Sequence, residues 1–266
     1  MNQPFDQTNR VVSETFGVTE FPSRTESPIL RSPADPPLLY CENLTKTYGG
    51  APALDAINLT IYRGRIVGLL GPNGSGKTTL LKLIAGLLTP TRGRVLVKGF
   101  PIGTETKSFV SYMPERTYFD GSLSVSDTVS YFSDFYADFD RGQAVELIRR
   151  LGLPEKSKFK TLSKGMKEKL QLILVMSRRA DLYLLDEPIA GVDPATRDFI
   201  LDIVLNHYDR NATILLSTHL IYDIEPILDD IIMISGGRIF LADTCENLRN
   251  KTGRTVDQYF REAFRC

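Results

Sequence analysis

The stretch RIVGLLGPNGSGKT, from Arg65 to Thr78, is an apolar run that leads directly into a glycine-rich loop. The loop, Gly71 to Thr78, fits the GxxxxGK[ST] template of phosphate-binding loops at every fixed position. Its glycines allow backbone N–H groups to approach a phosphate closely. The apolar run predicts a strand, and TTLLKLIAGLL (residues 78–88) predicts the helix after it. The stretch therefore predicts an α/β fold of the P-loop NTPase type.

The loop residues have expected parts in binding a nucleoside triphosphate. We expect Lys77 to reach the β and γ phosphates and to assist catalysis, and the hydroxyl of Thr78 to ligate Mg²⁺. The other residues expected to contact the nucleotide here are Gly71, Pro72, Asn73, Gly74, Ser75, Gly76 and Thr79. By itself, the loop predicts binding of a triphosphate and no more.

Two adjacent carboxylates end a second apolar run, LYLLDEP (residues 182–188). A buried strand that ends this way delivers Asp186 and Glu187 to the edge of an open α/β sheet where ligands bind. We assign Asp186 to Mg²⁺ and Glu187 to polarising the attacking water as general base. The alternative interpretation is a strand-to-turn segment that only caps a helix.

Two histidines are present, and only one follows a predicted strand. His219 comes just after ATILLS (residues 212–217), so we expect it near the same sheet edge, in contact with the γ-phosphate as a catalytic residue. Alone, a histidine there would more often be structural. His207 belongs to an amphipathic segment with Phe199 and Ile203, and is interpreted as a packing or surface residue.

The order of apolar runs predicts how the chain is organised. Early β-rich runs give an antiparallel β part, and later alternation of strands and helices predicts a mostly parallel sheet. A helical subdomain is expected at about residues 116–178, and short C-terminal helices at about 243–266. Residues 1–37 are rich in proline and polar residues and predict a flexible extension before one ATPase domain at 38–266.

Composition limits the possible partners. Lys plus Arg and Asp plus Glu both number 32, so no net field would attract the protein to nucleic acid, and we expect no nucleic-acid partner. The start lacks the pattern of a secretory signal, and no run is long and apolar enough to span a membrane. Three dispersed cysteines suit a reducing compartment. We therefore expect a cytoplasmic protein whose membrane contact is made through a partner.

Five motifs in this order resemble the nucleotide-binding subunit of ABC transporters: the loop, LSKGM (162–166), LYLLDEP (182–188), GVDP (191–194) and His219. The resemblance covers about Leu38 to Ala242. It implies a fold of the ABC ATPase type and a head-to-tail pair of ATPase subunits, identical or different. Each ATP then lies between the loop of one subunit and LSKGM of the other.

The same resemblance implies roles for residues outside the loop. Ser163 and Gly165 of LSKGM would bind the γ-phosphate held by the second subunit. Tyr48 would stack on adenine, and Asp193 would join the two sites, although Asp193 before Pro194 is also a good helix start. ATP and Mg²⁺ are the implied cofactors.

The chain departs from the family pattern in two segments. LSKGM stands where LSGGQ is commonest, so Lys164 and Met166 replace a glycine and a glutamine. SYMPER places Glu115 where the family usually has the Q-loop glutamine. We expect Glu115 to offer an oxygen to Mg²⁺, with altered metal or pH dependence, because its charge repels the γ-phosphate unless a metal neutralises it.

The leading functional hypothesis is an ATPase that powers a membrane transporter with a separate, integral-membrane permease. The combination of MPE with LSKGM resembles bacterial exporter-type ATPases of the Ytr and bacitracin-exporter kind. Residues 116–125 lie where this family meets its permease, although they could equally be ordinary core residues. The alternatives are a soluble ABC ATPase that acts on ribosomes or DNA, and a regulatory subunit that binds ATP without hydrolysing it. The expected location is the inner face of the cell membrane.

Overall fold

The computed structural model describes residues 36–264, so the prediction of a flexible extension at 1–37 falls almost wholly outside the described part. Within that part the chain forms ten strands and eight helices. The strands are β1 Leu39–Thr47, β2 Pro52–Ile61, β3 Ile66–Leu70, β4 Arg92–Val97, β5 Phe100–Pro101, β6 Val110–Met113, β7 Leu182–Asp186, β8 Thr213–Thr218, β9 Asp230–Ser235 and β10 Arg238–Thr244. The helices are α1 Lys77–Ile84, α2 Val125–Phe135, α3 Arg141–Arg150, α4 Lys164–Met176, α5 Pro194–Asn206, α6 Ile221–Ile224, α7 Cys245–Thr252 and α8 Val256–Phe264.

The central sheet has the order β10-β9-β3-β8-β7-β6 among the described residues. Its five strands from β9 to β6 are parallel, and β10 pairs with β9 in the antiparallel sense. Strands β3, β7 and β8 are buried along their whole length, as expected for strands covered on both faces. The predicted mostly parallel α/β core is therefore confirmed.

A second sheet, in the order β2-β1-β4-β5, is antiparallel and forms the predicted N-terminal β part. Helix α1 lies between the two sheets, because its apolar side chains pack in one cluster with residues of both. Leu80 and Leu81 of α1 are buried together with Val67 and Leu69 of β3. This packing fixes the helix directly behind the glycine-rich loop.

The other helices cover the opposite face of the central sheet. Buried side chains of α2, α3, α4 and α5 form one continuous core with β7 and β8. Helices α2 to α4 fall within residues 125–176, where the sequence predicts a helical insertion, and α7 and α8 fall within its predicted C-terminal helices. No helix between residues 36 and 264 is long and apolar enough to cross a membrane.

Candidate ATP-binding and active site

The candidate site lies at the carboxyl edge of the parallel sheet. The loop after β3, the segment after β6, the end of β7 and the residue after β8 all reach this edge, because these strands are parallel neighbours. They form a cleft of about 360 Å³. Its lining residues are Ala53, Asn73, Gly74, Ser75, Gly76, Lys77, Thr78, Thr79, Glu115, Glu187, Ala190 and His219.

The loop has glycine at positions where a residue with a side chain would strain the backbone. Gly76 has φ +110°, and a Cβ there would stand 2.6 Å from the carbonyl oxygen of Ala53. Gly74 has φ +78°, and no atom lies within 4 Å of a Cβ added there. The conformation leaves room for a phosphate against the start of α1, where helix N–H groups and the dipole favour an anion.

Lys77 is buried at the start of α1 and is held by the loop itself. Its Nζ donates to the carbonyl oxygens of Gly71 at 2.8 Å and Pro72 at 3.3 Å. The same Nζ lies 3.3 Å from Oε1 of Glu187. The ammonium group therefore stands between the phosphate loop and the carboxylate proposed as general base.

Asp186 ends β7 and is fully buried, with three hydroxyl donors around its carboxylate. Thr78 and Ser217 donate to Oδ1 at 3.0 and 2.8 Å, and Tyr112 donates to Oδ2 at 3.3 Å. Burial raises the pKa of Asp186, and the nearby charge of Glu115 adds to this, although the three hydroxyls act in the opposite direction. A bound cation would therefore stabilise the ionised form of this buried carboxylate.

Glu187 and His219 form a pair at the mouth of the cleft. Nδ1 of His219 lies 3.0 Å from Oε2 of Glu187, so the two side chains share a hydrogen bond. Glu187 adopts a left-handed backbone conformation with φ +49°, which is uncommon for a residue other than glycine. The structure thus brings Lys77, Glu187 and His219 together, as the sequence predicts.

Two residues of this site, Ser217 and Tyr112, were not predicted from the sequence. Ser217 is the register partner of Asp186 across β7 and β8, and Tyr112 lies on β6. Ser217 could have been found as a polar residue that ends an apolar run beside the Asp186 strand. Tyr112 gave no such signal, because an aromatic residue in a strand is ordinary.

The remaining predicted residues lie outside the cleft lining within the described chain. Ser163 is exposed and caps α4, accepting a hydrogen bond from the N–H of Met166 at 3.3 Å. A Cβ at Gly165 would stand 3.1 Å from Oγ1 of Thr196, at the start of α5. Tyr48 is 62% exposed beyond β1. Within the described chain, these predicted nucleotide contacts are therefore not part of the cleft that the loop lines.

Two further predictions concern local structure. Asp193 caps α5, accepting hydrogen bonds from the N–H of Thr196 at 2.9 Å and from its hydroxyl at 2.6 Å. The predicted helix start is therefore confirmed. His207 directly follows α5, with Nε2 at 3.3 Å from Nη1 of Arg150, away from the cleft.

The donor set fits Mg²⁺ bound together with a triphosphate. Asp186 and Thr78 supply oxygen donors, which Mg²⁺ prefers, and usually only one or two protein groups complete its shell beside phosphates and water. The hydroxyl of Ser75 is buried in the loop without a hydrogen-bond partner in the described chain. An anion in the cradle would give such a group a partner.

Comparison with known proteins places the chain among ABC transporters. The ABC transporter family model matches residues 54–190. The ABC transporter ATP-binding protein YtrB of Bacillus subtilis is 36% identical over 71% of this chain and 65% of its own length, so the match spans just under two thirds of YtrB. The linearmycin resistance ATP-binding protein LnrL of the same organism is 29% identical over 81% of this chain and 72% of its own length.

A solved structure of an ATP-binding subunit of an ABC transporter agrees with the fold. It superposes with a TM-score of 0.76 at 29% identity and covers 85% of this chain and 98% of its own. The resemblance drawn from the motifs is thus confirmed by the family match, by named relatives and by architecture. The chain therefore belongs to the ABC transporter family and has the fold of its ATP-binding subunits.

Proposed function

We propose that this chain hydrolyses ATP to drive a membrane transporter, with Glu187 as general base. The observation that supports this most is the position of the Glu187 carboxylate between Lys77 and His219. Its Oε1 lies 3.3 Å from the lysine ammonium and its Oε2 lies 3.0 Å from the imidazole, both beside the phosphate loop. A water molecule there would meet a base that is oriented from both sides.

Lys77 and the loop N–H groups bind the triphosphate and offset its charge. An incoming γ-phosphate competes with the carbonyl oxygens of Gly71 and Pro72 for the ammonium group of Lys77. Thr78, Asp186 and Glu115 face the region where Mg²⁺ would lie; the ion would neutralise charge that develops on the phosphates. His219 holds Glu187 in place and reaches toward the γ-phosphate.

A second ATPase subunit completes the site in this proposal. Ser163 and Gly165 lie outside the cleft of their own chain, at the N-terminus of α4, where free N–H groups suit a phosphate. Across a head-to-tail dimer they would contact the γ-phosphate in the partner's cleft. Tyr48, which is exposed just after β1, would stack on adenine.

The other proposed partner is a separate permease. The segment 116–125 would meet it: Tyr118 is 56% exposed, whereas Phe119 packs against Phe132 and Phe159 in the core. Export is the proposed direction, since LnrL is named for linearmycin resistance. Action on ribosomes or DNA is not favoured, because YtrB is named as an ABC transporter protein and the matching family model is that of ABC transporters. The chain would then work at the inner face of the membrane.

The test combines turnover with partner capture. We expect Mg²⁺-dependent phosphate release from ATP, and its loss by at least a hundredfold in Glu187→Gln with ATP binding retained. The tagged chain should also co-purify with a very hydrophobic membrane protein from its own cells. Undiminished hydrolysis by Glu187→Gln would refute the assignment of the base, and sedimentation with ribosomes in low salt instead of a permease would refute the transport role.

A further inference from the structure

Two hydrogen bonds from side chains to backbone carbonyl oxygens connect helix α4 to strand β6 and to the residue that follows it. Near one end of the contact, Oγ of Ser111 donates to the carbonyl oxygen of Val175 at 2.9 Å. At the end closest to the cleft, Nε2 of Gln171 donates to the carbonyl oxygen of Pro114 at 2.8 Å. The second bond acts directly on the segment that enters the nucleotide cleft.

Gln171 is unusual because it is an amide within a buried, otherwise apolar stretch of α4. Only 1% of the residue is exposed, and its neighbours Leu170, Leu172 and Ile173 are buried apolar residues. Its Oε1 has no hydrogen-bond partner in the described chain. A buried, unpartnered amide oxygen is unfavourable, and a leucine would fill the space without that cost. The bond to Pro114 is the one gain that the described contacts give this side chain.

Pro114 is the residue immediately before Glu115, which lines the cleft. Proline has no N–H and a fixed φ, so its carbonyl is the one backbone polar group through which Pro114 can be held. Glu115 itself is exposed on the cleft side, where its charge contributes to the raised pKa of Asp186. The direction in which the Glu115 carboxylate leaves the backbone therefore depends on the Pro114 bond.

We propose that Gln171 is a positioning residue that fixes Glu115 toward Mg·ATP. This inference rests on the proposed function of the cleft. Gln171 lies eight residues after Ser163, so a rigid helix of about 12 Å separates the two. In the proposed dimer, the start of α4 contacts the nucleotide of the partner subunit. Gln171 then connects that contact to Glu115 in its own cleft.

The test measures how much Mg²⁺ tightens binding of a fluorescent ATP analogue, as the ratio of Kd in EDTA to Kd in Mg²⁺. Glu187→Gln serves as the background, so that the nucleotide is not consumed. A fixed Glu115 repels the triphosphate without metal and supports binding with it. Gln171→Leu should therefore reduce the ratio roughly tenfold, as loss of a group that orients a metal-facing residue commonly does.

Glu115→Gln should lower the ratio as well, and adding Gln171→Leu to it should change little more, because Gln171 acts through Glu115. Gln143→Leu is the matched control. The Nε2 of Gln143 also donates to a backbone carbonyl, that of His207 at 3.0 Å, but far from the cleft lining. If Gln171→Leu melts at a lower temperature than Gln143→Leu, Gln171→Met is used in its place. Methionine has a side chain of similar length to glutamine but no amide group.

A ratio in the Gln171 variant equal to that of Gln143→Leu would overturn the inference, and so would additive effects of the Glu115 and Gln171 substitutions. If the Glu187→Gln background failed to bind the analogue in Mg²⁺, the proposed function itself would fail. The two failures are therefore distinguishable.

Discussion

Oγ of Ser217 donates a 2.8 Å hydrogen bond to Oδ1 of Asp186. Oγ of Ser217 also accepts a hydrogen bond from the backbone N–H of Glu187, at 3.0 Å. One hydroxyl, provided by the neighbouring parallel strand, thus orients the proposed metal carboxylate and the backbone of the proposed base. The strand register explains the contact, because Asp186 and Ser217 are partners across β7 and β8.

Replacing Ser217 by Ala should lower kcat for ATP hydrolysis about tenfold to a hundredfold. The reason is that Asp186 loses a donor and the N–H of Glu187 loses an acceptor. The KM for ATP should change little, since Ser217 is not part of the cleft lining. Steady-state phosphate release checks both constants. Ser177→Ala is the control, because Ser177 is equally buried but its Oγ has no hydrogen-bond partner in the described chain.

Asp186→Asn should raise the thermal stability of the protein at pH 7 without Mg²⁺, while it abolishes Mg²⁺-dependent hydrolysis. Burial raises the pKa of Asp186 above its ordinary value of 3.8. The raised pKa favours folding below pH 3.8, and that contribution is lost as the pH rises through the folded-state pKa. Removing the charge should therefore help most at neutral pH, as a melting curve at several pH values would reveal.

Asp193→Asn provides the contrast with the Asp186 substitution. Hydrogen bonds from Thr196 hold the pKa of Asp193 below 3.8, so its contribution to stability is present above that pH and is lost in acid. Asp193→Asn should lower stability at neutral pH and have no effect in strong acid. If Asp186→Asn also destabilised the protein at neutral pH, the assignment of a raised pKa to the buried Asp186 carboxylate would be wrong.

Much of this site could be predicted from the sequence, because its motifs are local. The loop at Gly71–Thr78 and the pair Asp186–Glu187 follow short apolar runs that predict buried strands, and parallel strands bring their ends together. Ser217, Tyr112 and Gln171 could not be assigned in this way. Their contacts depend on the order of the strands and on which face of α4 meets β6. Neither of these can be derived from a local sequence motif.

His219→Ala should reduce kcat roughly a hundredfold and leave the Kd for ATP within about threefold. The imidazole shares a 3.0 Å hydrogen bond with Glu187, whereas in the proposed site Lys77 and the loop would hold the phosphates without it. Phosphate release and equilibrium binding of an ATP analogue separate the two quantities. His207→Ala should match the wild type in both, because His207 lies outside the cleft lining. A His219 variant with unchanged kcat would exclude the histidine from the reaction.

In the proposed dimer one chain carries two half-sites, since Ser163 and Gly165 lie outside the lining of the cleft that contains Lys77. The most direct measurement is the molar mass of Glu187→Gln by light scattering during size-exclusion chromatography, with and without Mg·ATP. The pair is either a homodimer or a heterodimer with a second kind of ATPase subunit. The sample therefore includes any ATPase subunit that co-purifies with this chain. We expect 29.8 kDa subunits without ATP and a stable pair with ATP, abolished by Ser163→Arg. Subunits that stay monomeric with ATP bound would contradict the shared site.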